Sequence, residues 1–217
     1  MISIENLPRF IYITGCDGTG KSTQARLLVE YLRSHAIKVN HLWLRFPFFF
    51  CLPFLAYARF NGLSWGAEKD GYKHGYWEFW RSPIMRYVFP WALLLDATLA
   101  ACWNIYLPLL MGTTIVCERF SLDMLSDLII ACQDETLPFH FPGRLYPVLI
   151  PKLYRLIILE MDYSRIVERR PDLINDKMLD ARLRTFQLLA RIMNCPVISS
   201  NMPIDFVHQE ILKLIGV

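Results

Sequence analysis

Phe10 to Leu32, FIYITGCDGTGKSTQARLLVEYL, is the stretch whose reading decides the fold. Within it, Gly15 to Ser22 satisfies G-x-x-x-x-G-K-[ST], a loop whose glycines let backbone N–H groups close around phosphate while the lysine supplies charge. Phe10 to Ile13 is an apolar run rich in aromatic and β-branched residues, which reads as a buried strand. After the loop, Ala25, Leu28, Val29, Leu32 and Ala36 recur at helical spacing, with Arg26, Glu30 and Arg33 on the other face. Strand, glycine loop and helix thus follow in the order that phosphate binding needs, and the helix N-terminus adds its own N–H groups and partial positive charge. Gly15, Asp17, Gly18, Thr19, Gly20, Lys21, Ser22 and Thr23 are therefore the candidate phosphate site.

The composition around this stretch narrows the function. A chain of 217 residues is long enough for one α/β domain and short for two. A net charge of +3 with no run of five like charges gives little support to a nucleic-acid surface and suits a phosphorylated small molecule as partner. The six cysteines are scattered, with no C-x-x-C pair and no histidine at metal-ligand spacing, so reduced thiols are expected. The N-terminal segment has no basic n-region or long apolar h-region, and a cytoplasmic location is expected.

Mean hydropathy is nevertheless +0.28, and residues 87–117 contain Asp96 as their single charged residue. Pro90, Asp96 and Pro108 interrupt this run, and Thr113 to Cys117 reads as a core strand. A buried helix followed by a strand, rather than a membrane span, is expected.

Further along, Val39 to Arg45 reads as a second strand with Arg45 at its carboxyl end, where open α/β sheets bind ligands. Asn61 to Gly75 is polar and glycine-rich and reads as a mobile surface loop. Trp77, Phe79, Trp80, Tyr87, Phe89 and Trp91 follow, either as aromatic core or as a platform for a base or an apolar acceptor. A long helix over residues 92–111 precedes the strand ending at Cys117. Glu118 and Arg119 then leave that strand as an adjacent acid and base, which is costly unless both find partners. Leu156 to Leu159 is a further strand, Ser164 to Arg170 a short helix, and helices and a last strand alternate to the C-terminus. This alternation implies an α/β fold, a three-layer doubly wound parallel sheet.

With these pieces placed, the chain resembles the thymidylate kinase family of P-loop nucleoside monophosphate kinases. Gly15 to Gln24 is close to that family's P-loop, Arg45-Phe46-Pro47 to the element after its second strand, and Glu118-Arg119-Phe120 to its Asp-Arg-Tyr/His motif. The second half, through Asp123 and Glu168-Arg169-Arg170-Pro171-Asp172-Leu173, resembles a divergent thymidylate-kinase-like group. The helix that carries a phosphate-binding arginine and a thymine-stacking aromatic in thymidylate kinases here reads Leu93 to Thr98, with neither residue.

The resemblance implies one P-loop kinase domain over residues 1–217, an aromatic-rich acceptor-side insertion at about 46–91 and a short lid at about 165–178. It also implies ATP as donor, Mg²⁺ as cofactor and dTMP as acceptor. Lys21, Glu118, Arg119, Arg169 and Arg170 are the expected catalytic residues. Ser22 and Glu118 are expected to hold the metal, and Asp17, Arg45, Phe46 and Arg119 to meet the acceptor. A nucleoside kinase, a kinase of a glycan- or lipid-pathway alcohol, and a nucleotide-binding regulatory protein stay open beside it. So do a peripheral membrane contact and a homodimer for the aromatic block.

Overall fold

The computed structural model describes residues 7–45, 49–69 and 72–217. Phe46 and Pro47 of the expected acceptor element lie outside the described residues. The core is a five-stranded parallel sheet of β1 (Phe10–Gly15), β2 (Val39–Trp43), β5 (Thr114–Glu118), β6 (Tyr154–Glu160) and β7 (Val197–Ser199), in the order β2-β5-β1-β6-β7. β1 is central and buried throughout, and its period-2 alternation feeds two cores. Ile11 and Ile13 face α1 (Lys21–Ser34) and the C-terminal helix, residues Ile204–Ile215. Phe10 and Tyr12 face the other way, toward Leu93, Leu125 and Phe186. Helices on both faces of a parallel sheet give the expected three layers.

Between β2 and β5 the chain departs from expectation twice. Following α2 (Leu52–Phe60), residues read as a mobile loop instead form an antiparallel hairpin, β3 (Ser64–Lys69) and β4 (Tyr72–Trp77). Its cross-strand pair Trp65 and Tyr76 stacks with ring centroids 4.5 Å apart, and the Trp65 indole N–H donates to Glu78 at 3.0 Å. Aromatic cross-strand pairs of this kind stabilise a hairpin despite glycines at 66 and 75.

The second departure is α3, which runs over Ile84–Leu110 rather than starting at 92. It accommodates Pro90 and Pro108 by widening to π-helical turns at Ile84–Val88 and Cys102–Tyr106, just ahead of each proline. Nor is it buried all round. Ala97, Ala101 and Ile105 are inside, whereas Leu99, Trp103 and Leu110 are 56, 73 and 85% exposed. The helix is long and apolar enough to cross a membrane, and a third of its most apolar window is buried. Asp96, the acid within it, points inward, where its two carboxylate oxygens accept from the Phe50 and Cys51 N–H groups at 2.8 and 3.0 Å. The carboxylate thereby holds the start of α2 against α3.

The remaining helices are α4 (Ser121–Cys132), α5 (Tyr163–Arg169), α6 (Leu179–Met193) and α7 (Ile204–Ile215). All five sheet strands are parallel, so their carboxyl ends share one edge, and there the candidate residues gather.

Candidate functional site

β1 ends at Gly15, whose φ of 140° and close packing exclude a side chain: a Cβ there would stand 2.2 Å from the Leu159 carbonyl oxygen. Gly18 and Gly20 have φ of 88° and 87°, in the left-handed region that favours glycine. Gly20 begins α1 with no side-chain cap, which leaves the first N–H groups of the helix directed into the loop. Ser22 is exposed and Thr23 half-buried in that first turn. Thr19 is buried, its hydroxyl donating to the Cys16 carbonyl at 2.8 Å.

Lys21 is only 4% exposed. Its ammonium donates to the carbonyls of Gly15 and Cys16 at 2.7 and 2.6 Å and lies 3.7 Å from Asp17 Oδ1. Burial pulls its pKa below the ordinary lysine value, with the Asp123 charge opposing that pull. The neighbouring Cys16 thiol is pushed up to about 11 by burial, so it is protonated and inert.

Asp17 is the hub of the charged groups. It pairs with Lys21, with Arg119 Nη2 in a direct hydrogen bond, and with Arg45 Nη1 at 3.9 Å. Three cations contributed by α1, the end of β2 and the end of β5 thus converge on one carboxylate. Arg119 adopts φ 63°, a strained conformation for a residue with a side chain and one that concentrates at functional positions. Its carbonyl is held by the Leu44 N–H at 3.1 Å, which ties β2 to this turn.

Glu118 is buried, with Oε1 3.1 Å from His41 Nε2, and its Oε2 has no hydrogen-bond partner among the described residues. Asp123, marked in the sequence only as the end of the Glu118 to Asp123 motif, proves equally central. Its Oδ2 accepts from Tyr12 Oη, Thr14 Oγ1 and the Phe120 N–H at 2.6, 2.8 and 3.1 Å. Its Oδ1, 3.9 Å from Arg119 Nη1, is buried without a hydrogen bond among the described residues. Two carboxylate oxygens open at a phosphate loop suit a hard cation. No group of three or more metal-ligating side chains occurs among the described residues, so the set fits an ion held partly by nucleotide phosphates rather than an all-protein cage.

The two arginines expected in a lid, at the end of α5, engage different partners. Arg170 stacks its stem over the loop, its Cγ 3.6 Å from where a Cβ on Gly18 would sit, and forms a bidentate pair with Asp172 at 2.7 and 2.8 Å. Arg169 reaches the Ser200 carbonyl at 3.5 Å, toward β7.

A cavity of about 390 Å³ opens beside this cluster, the right size for a small ligand. Arg45, Asp127 and Arg182 line both the cavity and the narrow crevice that leads to Gly15, Asp17 and Arg119, so the cavity's charged end adjoins the loop. Arg45 also approaches Asp127 at 3.4 Å. Arg182 pairs directly with the buried Asp176. Neither Asp127 nor Arg182 is marked in the sequence: Asp127 stands outside the motif that ends at Asp123, and Arg182 is one of four charged residues on an amphipathic helix. The aromatic block divides: Trp77, Phe79 and Phe89 wall the cavity, while Trp80, Tyr87 and Trp91 are exposed. Thr98, at the expected arginine position, bonds its own helix at the Leu94 carbonyl.

A parallel sheet with a glycine loop after its central strand, backed by an acid and a base at the end of the adjoining one, defines a P-loop kinase-like α/β fold. No family model matches the chain. Over 35 residues it is 51% identical to a curated thymidylate kinase of Plasmodium falciparum (isolate 3D7), a match that spans 16% of this chain and only 17% of that protein. Its structure is similar to the crystal structure of thymidylate kinase from Ehrlichia chaffeensis, with a TM-score of 0.51 and 20% identity over 96% of this chain and 98% of that one. The fold is therefore thymidylate-kinase-like.

Proposed function

We propose that the protein is an ATP-dependent, Mg²⁺-assisted kinase that transfers a phosphoryl group to a nucleoside monophosphate, with dTMP the acceptor suggested by its relatives. The observation that carries this reading is the adjacency of a cationic phosphate loop and a nucleotide-sized cavity, joined through Arg45, Asp127 and Arg182. Phosphoryl transfer asks a protein chiefly to position two anions and neutralise the charge between them.

The N–H groups of residues 18–22 hold the donor phosphates, and Lys21 exchanges its two carbonyl acceptors for phosphate oxygens. Arg45 orients the acceptor phosphate, while Arg119 moves from Asp17 to neutralise charge on the transferring group. An acceptor phosphate oxygen attacks the γ-phosphorus in line, the bond to the β–γ bridging oxygen breaks, and ADP leaves. Glu118 and the Ser22 hydroxyl, with Asp123 beside them, are the residues that would hold Mg²⁺, which supplies charge neutralisation of the phosphates. Arg170, above Gly18, closes on the donor as part of a lid at about 165–178. A cytoplasmic enzyme fits this chemistry.

The test is ADP release from ATP-Mg²⁺ with a panel of nucleoside monophosphates. Acceptor-dependent ADP formation with at least one of them is expected, and its absence across the panel defeats the reading.

A further inference from the structure

The cavity's two ends differ in kind. The end beside the loop carries Arg45, Asp127 and Arg182. Away from it the walls are Leu55, Phe79, Phe89, Leu93, Ile130 and Ala131, of which Phe79, Phe89 and Leu93 are within 5% of complete burial. Among the described residues, no Asn, Gln, Ser or Thr lines the cavity at all. The polar groups that remain are committed or peripheral. The Tyr76 hydroxyl accepts from the Lys177 N–H at 3.2 Å and is also engaged with Asp176. The Cys51 N–H is taken by Asp96, and Arg59 lies exposed at the mouth, where the cavity meets the open groove beneath the hairpin. Among the described residues, the Trp77 indole N–H is the one side-chain donor left at that end.

A pyrimidine presents one donor and two acceptors along its pairing edge. Burying that edge without partners costs free energy, and a site that reads it must offer complementary groups. Resting on the nucleotide kinase reading above, we infer that this site recognises the buried end of its acceptor by shape and apolar contact, with no hydrogen-bond readout of a base edge. The substrate class is then a phosphomonoester whose far end is a flat, apolar ring. Thymine is tolerated for its methyl group and ring, and the polar edge contributes nothing to selection.

The experiment compares kcat/KM of the wild-type protein for dTMP, for the 5′-monophosphate of the difluorotoluene deoxyriboside, and for deoxyribose 5-phosphate. The second keeps the shape of thymidine and removes its hydrogen-bonding edge. A site built on edge hydrogen bonds rejects such an analogue by about 10⁴–10⁵-fold. Here the analogue is expected to match or exceed dTMP, and deoxyribose 5-phosphate to fall at least about 100-fold below both. A loss of tenfold or more for the analogue relative to dTMP overturns the inference and leaves the kinase reading standing. Turnover of neither ringed acceptor also overturns the inference, and the kinase reading falls with it where no nucleoside monophosphate of the panel is turned over although ATP-Mg²⁺ still raises the melting temperature.

Discussion

Lys21 is a buried cation whose present partners are two carbonyls and a carboxylate 3.7 Å away. Because its pKa in the fold lies below the ordinary value of 10.5, folding favours the neutral amine. At any pH below that lowered value the charge costs stability, and the cost is relieved as pH rises toward the unfolded value. Lys21→Met should abolish ATP turnover while melting at or above the wild-type temperature near pH 7, with the gap narrowing as pH approaches 10. A clearly lower melting temperature at pH 7 would instead make Lys21 a net contributor to the fold. Glu118 is the opposite case, an acid whose Oε2 waits for a partner. Glu118→Gln should lower kcat by at least about 100-fold, the scale of a lost preorganised contact at a transferring group. An ordinary ion pair with His41 predicts a different pattern, a fall in thermal stability with kcat preserved.

At the scale of elements, what could be read in advance depended on how local the signal was. The strand, glycine loop and first helix were legible from Phe10 to Leu32 alone, because each of their constraints acts within a few residues. The hairpin was not. Its strands carry little alternation, and Asp70-Gly71, the dipeptide that favours tight hairpin turns, stands between polar neighbours. Asp123 was legible only as the end of a motif, because its partners Tyr12 and Thr14 are more than a hundred residues away and meet it only once β1 lies beside β5. The helix α3 defeated periodicity in another way, since residues apolar on every side give no hint of which side faces inward. Its two faces now make separate predictions. Ala97→Leu overpacks a filled interior and should cost about 1–3 kcal/mol, lowering the melting temperature by several degrees. Trp103→Lys, on the same helix, should leave it within about 2 °C, as exposed positions usually do. Thermal melts of the two variants side by side decide it, and equal losses would mean that the outer face is covered by something the folded chain depends on.

Across the whole molecule, the parallel order β2-β5-β1-β6-β7 delivers Asp17, Arg45 and Glu118 from separate strand ends to one edge, which no stretch of sequence could announce by itself. The hairpin and the segment ahead of α6 then bridge that edge. Tyr76 holds the Lys177 N–H, the Lys177 ammonium sits 5.1 Å from the Trp65 ring centre, and Met178 lines the cavity a few residues beyond Arg170. The segment from Arg170 to Met178 thus runs from the phosphate loop to the cavity wall and is tied to the hairpin on the way. On the kinase reading proposed above, a donor at the loop and an acceptor in the cavity would share this segment, and any coupling it carries is by linkage equal in both directions. A non-hydrolysable ATP analogue should tighten acceptor binding, the acceptor should tighten the analogue by the same factor, and Tyr76→Phe with Trp65→Ala should bring that factor toward one. Calorimetric titrations in both orders would measure it, and a factor of one in the unaltered protein would show the two sites filling independently. A mutual factor well above one would make the protein a detector of coincidence, committing ATP only when both molecules are aboard.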